Sequence, residues 1–265
     1  MFISYKHKFV FLHMPKIATT TSRLVLAKSG LLGPDGVFSG VNYEEGGPNS
    51  YPQQGLAHIT PYQYANSIME RPIRAVQPSG RIVNEQDPWM VEMLKTMTVE
   101  EVDTIIMRRL LAFLTPEEIV NAGLLTPEQR EEFKFYCVIR DPIQRYLSAF
   151  FHTQAGFGVE PKIEDMEREI EEADVDYGIV RFMNRKYENV CTHGVDVLLY
   201  ENFNDDIVKI IKGYGGDIEL PLPREKGNYR PDWSREPVSK WMPESTLNKL
   251  NLILAKDIEF YNERR

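Results

Sequence analysis

This sequence has few cysteines, no long apolar run and no excess of positive charge. Among 265 residues there are two cysteines, Cys137 and Cys191, which are too few for a disulfide framework. No apolar run approaches the roughly 18 residues that cross a bilayer, and the N-terminal run from Phe9 to Leu12 is too short for the core of a signal peptide. We therefore expect a soluble protein, cytoplasmic or in another aqueous compartment, with neither a signal peptide nor a transmembrane anchor.

The charge balance of the chain is acidic. Lysine and arginine number 31 and aspartate and glutamate 39, which gives a formal net charge of −8. Such a chain is a poor general binder of nucleic acids or membrane surfaces, although a local basic pocket for a small anion is compatible with it. With 42% apolar residues and no internal repeat, residues 1–265 are expected to form one globular domain.

Three apolar runs, at 9–12, 133–139 and 195–199, predict buried strands. The first and third are nearly continuous rather than alternating, which is typical of a sheet covered on both faces. Cys137, inside the second run, is expected to act as a small buried hydrophobe. Helix signals lie between the strands, so we predict an α/β fold with a mainly parallel sheet.

Capping residues and prolines mark the predicted helix starts. Thr20 or Thr21 is expected to cap a helix that ends near Lys28, ahead of Gly30. Other starts are predicted at Thr98 (a capping box), Thr115-Pro116, Thr126-Pro127, Asp141-Pro142, Pro161 and Pro243. Two segments rich in glycine and proline, 33–55 and 213–235, are predicted to be long loops, which often carry function.

The turn between the first strand and the first helix is typical of an anion site. It runs from His13 to Ser22 and combines Lys16 with three threonines and a serine. At such a turn the backbone N–H groups and the helix dipole favour a phosphate-like group. The turn lacks the glycines of the G-x-x-x-x-G-K-[ST] nucleotide loop. A threonine-rich helix cap with a surface lysine therefore stays open as the alternative.

A second strand-to-helix junction lies at residues 137–151. Arg140 at the strand end and Ser148 two turns into the helix can hold a second anionic group, the arginine with bidentate geometry. Arg145 shares a helix face with Ser148. The alternative is purely structural, with Asp141 capping the helix and pairing with Arg145.

Taken together, the two junctions resemble the binding elements of sulfotransferases that use 3′-phosphoadenosine 5′-phosphosulfate (PAPS), most closely carbohydrate sulfotransferases of the heparan and chondroitin type. The residues that match the first element are Phe11, His13, Pro15, Lys16, Thr20 and Thr21. Those that match the second are Arg140, Asp141, Pro142, Arg145, Ser148 and Phe150. Residues 198–203 resemble the family's strand with a Y-E-[DN]-[LF] ending, and 250–261 resemble its closing helix. Residues from about 62 to 130 match nothing that we can place.

The resemblance implies a three-layer, P-loop-like α/β fold with a central, mainly parallel sheet flanked by helices. It implies transfer of a sulfuryl group from PAPS to an acceptor hydroxyl on a carbohydrate, with 3′-phosphoadenosine 5′-phosphate (PAP) as product and no metal. By similarity, Lys16 stabilises charge on the leaving oxygen, and the 5′ phosphosulfate is held by Lys16, Thr19, Thr20, Thr21 and Ser22 together with backbone N–H groups. Arg140 and Ser148 hold the 3′-phosphate.

The acceptor hydroxyl needs a general base, and histidine is the first candidate. His58 follows the first long loop and resembles the segment that supplies the base in several family members. His13 is expected to orient its turn, and His152 is a weaker candidate for the base. A carboxylate such as Glu85 or Asp87 stays open as well. Lys226 or Arg230 is expected to close over the donor, unless that charged segment is simply solvated.

Two positions depart from the family pattern. Ile17 and Thr19 stand where the family has a small or hydroxyl residue and a glycine, and a β-branched residue does not easily adopt a positive φ. Because of this departure, a second alternative stays open: a non-catalytic relative that binds a nucleotide or a sulfated ligand. A small-molecule kinase of P-loop ancestry is the other alternative. Residue types alone do not name the acceptor, whose candidate cleft residues are 33–55, Arg181, Asn184 and Arg185.

Overall fold

A five-stranded sheet forms the centre of the molecule. The structure is a computed structural model that describes residues 1–32, 37–38, 74–76, 82–84, 114–121, 123–156, 160–173, 186–222 and 230–265. The strands of the sheet are β1 (Phe2–Ser4), β2 (Phe9–Leu12), β3 (Val37–Phe38), β6 (Lys134–Ile139) and β7 (Val195–Leu199). Two further strands, β4 (Arg74–Val76) and β5 (Ile82–Asn84), form a separate antiparallel pair.

The strand order of the sheet is β3-β1-β2-β6-β7. Strands β2, β6 and β7 run parallel to one another, whereas β1 pairs antiparallel with both β2 and β3. The three strands predicted from the sequence are these parallel ones, and their predicted ends agree with the observed ends to within one residue. The predicted α/β fold, with a parallel core flanked by helices, is therefore confirmed. The antiparallel edge is an addition, because a three-residue strand gives too short a pattern to predict.

Helices follow each of the parallel strands. The α-helices of the described residues are α1 (Thr19–Lys28), α2 (Pro116–Asn121), α3 (Pro127–Glu132), α4 (Pro142–Gly156), α5 (Ile163–Glu172), α6 (Tyr187–Val190), α7 (Phe203–Gly213), α8 (Glu244–Ile253) and α9 (Ala255–Asn262). The last helix, whose start was predicted at Pro243, is divided in two at Leu254. Within the described ranges no helix has both the length and the apolar character needed to cross a bilayer.

Local capping explains where several helices begin. Thr126 and Gln129 form a reciprocal capping box at α3. Thr115 and Glu118 exchange the same pair of hydrogen bonds at α2. Both were predicted from a threonine followed by proline. The capping box predicted at Thr98 lies outside the described residues.

Among the residues that the structure describes, two apolar cores hold the elements together. The larger core surrounds the sheet, and all four residues of β2 are buried in it, as the continuous apolar run predicted. Cys137 is buried in the same core, which confirms its prediction as a small hydrophobe. Strand β7 differs from its prediction, because it forms the edge of the sheet and its residues are only half-buried or exposed. A second core joins α4, α5 and α8.

The contact between Gly216 and the C-terminal end of α1 gives a prediction about stability. A Cβ atom at Gly216 would lie 2.7 Å from Leu31 Cγ and 2.9 Å from the carbonyl oxygen of Ser29. This oxygen belongs to the backbone, so it cannot move away as a flexible side chain could. We expect Gly216→Ala to lower the free energy of unfolding by roughly 1–3 kcal/mol through overpacking. Denaturant unfolding measures this difference.

Gly213→Ala is the matched control, because a Cβ atom there meets nothing within 4 Å. That substitution should leave the stability equal or raise it by up to about 1 kcal/mol, since alanine is the better helix former. A Gly216→Ala variant as stable as the Gly213→Ala variant would contradict the close packing described here.

Candidate functional site

The two sequence junctions come together at one edge of the sheet. Leu12 of β2 is in register with Cys137 of the parallel strand β6, and Ile139 of β6 is in register with Leu199 of β7. The chain leaves these three strands in the same direction. The turn after β2, Arg140 after β6 and Tyr200 after β7 therefore stand side by side, where ligands bind in open α/β sheets.

The turn after β2 adopts left-handed backbone at two residues, neither of which is glycine. Lys16 has φ 66° and Ala18 has φ 45°, and Ile17 between them is not left-handed. Backbone that alternates in this way forms an anion-binding concavity of N–H groups, as in phosphate-binding loops. The left-handed conformation costs an alanine or lysine about 1 kcal/mol or more, which marks the turn as constrained.

The position of the strain differs from the sequence expectation. Thr19 does not need a positive φ, because it is the first residue of α1 and Ala18 is the N-cap. The prediction that Thr20 or Thr21 caps this helix is wrong, since both lie in the first turn and no side chain caps it. Ile17 is buried in the sheet core, so its departure from the family pattern has a packing reason.

The hydroxyl groups of the turn have different environments. Thr19 donates to the carbonyl oxygen of Met14 at 2.6 Å and so closes the turn. Ser22 is buried and donates to the carbonyl oxygen of Thr19 at 3.1 Å. Thr20, Thr21 and Lys16 are half-buried at the mouth of the turn. Among the described residues, the hydroxyl of Thr20 has no hydrogen-bond partner.

His13 is the first residue of this turn, and its burial makes it unsuited to act as the base. Its ring is buried, and Arg23 Nε donates to His13 Nδ1 at 3.3 Å. Burial, and after it the positive charges nearby, lowers the pKa of His13 well below its usual value. The ring is therefore neutral at physiological pH. His152 lies on α4, and the other candidates for the base, His58, Glu85 and Asp87, lie outside the described residues.

At the junction after β6, both backbone polar groups of Arg140 are held by hydrogen bonds. The hydroxyl of Tyr187 donates to the carbonyl oxygen of Arg140 at 2.5 Å and accepts from its N–H at 3.3 Å. The Arg140 guanidinium lies over the ring of Tyr200, 4.4 Å from its centre. Tyr200 is 37% exposed, so an aromatic surface is available beside this cation. Tyr200 belongs to the motif at residues 198–203, and its residue type alone indicates no role for it.

Arg230 joins this junction from a segment distant in sequence. Its Nη1 donates to Gln144 Oε1 at 2.9 Å, and its guanidinium lies 5.6 Å from the ring centre of Phe151. Ser148 is one helical turn beyond Gln144 on the same face of α4 and is half-buried. The structure thus brings Arg230 to Gln144, one helical turn from Ser148, and close enough to Arg140 for the two charges to interact. Lys226 lies outside the described residues.

Arg140 and Arg230 are close enough for their positive charges to affect each other. In the part of the chain that the structure describes, no carboxylate lies within ion-pair distance of Arg140 or Arg230. Burial, followed by the positive charges of Arg140 and Arg235, lowers the pKa of Arg230. Within the described ranges, the buried Nε atom of Arg230 has no hydrogen-bond partner. Buried charges normally acquire partners, so the pair fits a bound anion.

A cavity of about 330 Å³ is lined in part by Gln144. Its lining includes Asp141 and Glu201, and the hydroxyl of Tyr261 donates to Glu201 Oε1 at 2.8 Å. Two carboxylates make this cavity unfavourable for a phosphate group. An anion is therefore more favourably placed beside Arg140 and Arg230, although Arg265 also lines this cavity.

Arg145 is not available to a ligand. Its guanidinium is fully buried and pairs with Asp257 at 3.4 Å. The structural alternative for this junction holds in part, because Asp141 Oδ1 accepts from the N–H of Gln144 at 2.8 Å and caps α4. The expected pairing of Asp141 with Arg145 is wrong, since the partner of Arg145 lies on α9. No local spacing rule could have revealed it across 112 residues.

The fold and these two junctions define an α/β protein that offers a phosphate-type turn after one strand and an arginine cluster after the next. The chain belongs to the sulfotransferase family, whose family model matches residues 1–262. No curated protein and no solved structure is significantly similar to the chain.

The left-handed alanine in the turn gives a second prediction. Glycine adopts this conformation without steric cost, so Ala18→Gly should keep or raise the free energy of unfolding, by up to about 1 kcal/mol. Ala27→Gly on the exposed face of α1 is the matched control and should cost about 0.5–1 kcal/mol. Urea unfolding of both variants compares them. Equal losses in the two variants would contradict the left-handed conformation of Ala18.

Proposed function

We propose that this member of the sulfotransferase family transfers a sulfuryl group from PAPS to a hydroxyl group of a carbohydrate, releasing PAP. Family membership supports sulfuryl transfer in general, and the identity of donor and acceptor is our proposal. We take residues 1–265 as a single domain, in line with the span of the family match.

The observation that carries the donor assignment is the pair of adjacent anion sites. PAPS has a 5′ phosphosulfate and a separate 3′-phosphate, whereas ordinary adenine nucleotides lack the latter. The turn after β2 suits the first group, because its N–H groups form a concavity at a helix N-terminus beside Lys16. Arg140 and Arg230, which have no ion-pair partner among the described residues, suit the second.

Each residue of the site takes a distinct role in this proposal. Lys16, with the first-turn N–H groups and the hydroxyls of Thr20 and Thr21, holds the phosphosulfate. Thr19 and Ser22 were expected to bind it as well, but their hydroxyl protons are used inside the turn, so we assign them to its shape.

The 3′-phosphate is held by Arg140 and Ser148, as the resemblance implied, and Arg230 joins them through its contact with Gln144. An arginine presents a planar fork of donors that matches phosphate oxygens. The exposed ring of Tyr200, stacked on Arg140, offers an aromatic surface to the purine of the same donor.

Sulfuryl transfer requires the acceptor oxygen in line with the bond that breaks, and it requires stabilisation of the negative charge on the leaving group. The acceptor oxygen forms a bond to sulfur while the bond from sulfur to the bridging phosphate oxygen breaks. Lys16 stabilises the negative charge that develops on that bridging oxygen. A base takes the acceptor proton, and we assign this step to His58 on its resemblance to the family's base segment. His13 is neutral and buried and is assigned to the shape of the turn.

The carbohydrate acceptor rests on the closeness of both motifs to carbohydrate sulfotransferases. The residues proposed for its cleft, 33–55, Arg181, Asn184 and Arg185, lie outside the described residues except for Val37 and Phe38. Transfer assays rather than contacts must therefore identify the sugar.

Binding of the product nucleotide tests the donor assignment. We expect the protein to bind PAP more tightly than adenosine 5′-phosphate, because only PAP reaches Arg140 and Arg230. Arg140→Ala should weaken PAP binding by about 1.5–3 kcal/mol, the usual range for hydrogen bonds to a charged group, and leave adenosine 5′-phosphate nearly unaffected. Isothermal titration calorimetry with both nucleotides measures the difference.

Arg168→Ala is the control for general electrostatics, because Arg168 is exposed on α5 and pairs with Asp165. It should leave both affinities unchanged. A wild-type protein that binds the two nucleotides equally well would refute PAPS as the donor.

Transfer of labelled sulfate tests the activity itself. With labelled PAPS and a panel of glycans, small alcohols and phenols, we expect label on a glycan. Lys16→Ala should lower the rate by roughly 100- to 1000-fold, as for other lost transition-state donors. Lys28→Ala, at the exposed end of the same helix, should be as active as the wild type. Label on no glycan, or full activity of Lys16→Ala, would contradict the proposal.

A further inference from the structure

The guanidinium of Arg145 touches the turn that carries Lys16. Its Nε atom donates to the carbonyl oxygen of Pro15 at 3.3 Å. Its Nη1 atom contacts Asp257 Oδ2 at 3.4 Å, and the group lies 5.1 Å from the ring centre of Tyr187. Arg145 therefore sits beneath the turn, fully buried, with its positive charge matched by a carboxylate.

The same contacts continue to the second anion site. Asp257 Oδ1 accepts from the backbone N–H of Tyr187 at 2.9 Å. The hydroxyl of Tyr187 in turn holds both backbone polar groups of Arg140. A continuous chain of contacts thus joins the residue before Lys16 to Arg140, through Arg145, Asp257 and Tyr187.

The hydrogen bond to Pro15 has a consequence for the turn. In a trans peptide the C=O and the following N–H point in opposite directions, so a carbonyl of Pro15 directed at Arg145 turns the N–H of Lys16 away from the interior. The hydroxyl of Thr19 likewise holds the carbonyl oxygen of Met14 by a hydrogen bond. An anion-binding turn needs its carbonyl oxygens turned away from the anion, because their negative ends repel it.

We propose that Arg145 is a positioning residue that sets the distance and orientation between the two anion sites. It holds the Lys16 turn directly, and it holds Arg140 through Asp257 and Tyr187. A nucleotide donor with two separated anionic groups can then bind both sites without a rearrangement of the protein. This inference rests on the proposed function, since it names what aligns that site.

A donor that meets two prearranged sites gains affinity beyond that of either group alone. We therefore measure three affinities by calorimetry, for PAP, adenosine 3′-phosphate and adenosine 5′-phosphate. In the wild type, PAP should bind far more tightly than either monophosphate. Wild-type protein without this preference would refute the proposed function itself, which separates that failure from a failure of the present inference.

Arg145→Lys is the principal variant. A lysine keeps the positive charge beside Asp257. It lacks the planar guanidinium fork, so it cannot contact Asp257 and donate to the carbonyl of Pro15 at the same time. We expect PAP affinity to fall roughly tenfold relative to both monophosphates, and the transfer rate to fall roughly 10- to 100-fold through misplacement of Lys16. A role in stability alone would leave the ratio of affinities unchanged in folded protein.

Arg130→Lys is the matched control. Arg130 also donates to a backbone carbonyl, that of His193, and lies over the ring of Phe135, but at the opposite end of β6. Because Arg130 is only half-buried, the variant should lose less stability than Arg145→Lys, and its affinity ratio should stay unchanged. If Arg145→Lys does not fold, Tyr187→Phe tests the same chain, because it removes the hydroxyl that holds Arg140 and changes little in volume.

Tyr187→Phe is expected to weaken PAP and adenosine 3′-phosphate and to spare adenosine 5′-phosphate. An unchanged affinity ratio in folded Arg145→Lys overturns the inference. Where only Tyr187→Phe folds, unchanged affinities for PAP and adenosine 3′-phosphate overturn it.

Discussion

The buried ion pair between Arg145 and Asp257 constrains the site more than any other single contact. Removing two charges from water costs several kcal/mol for each, so neither group can remain buried without the other. Burial raises the pKa of Asp257, while the N–H of Tyr187 and the charge of Arg145 oppose that shift. As a result α4, α6 and α9, which lie far apart in sequence, must meet beneath the turn after β2.

The turn itself shows how a phosphate-type loop can form without glycine. Lys16 and Ala18 accept the left-handed backbone, and Ile17 secures the turn by burial in the sheet core. The strain is acceptable because the carbonyls of Met14 and Pro15 are each held by a hydrogen bond. Beside it, Arg140 and Arg230 lack a balancing carboxylate among the described residues, so positive charge is concentrated locally in a chain of net charge −8.

The sequence predicted what depends on local pattern and missed what depends on distant contacts. The ends of β2 and β6, and hence the placement of Lys16 and Arg140, followed from apolar runs and helix caps. The start of α1 was misplaced, because three threonines in a row offer equal capping signals and Ala18 offers none. The pairing of Arg145 with Asp257 could not be predicted, since Asp141 satisfied the local rule.

The central claim is that one nucleotide spans the turn at Lys16 and the arginine cluster at Arg140. A crystal structure of the protein with PAP tests this most directly. We expect the 5′-phosphate to contact the N–H groups of the turn and the 3′-phosphate to contact Arg140, Arg230 and Ser148. A 3′-phosphate in solvent, or a nucleotide bound away from both junctions, would contradict it.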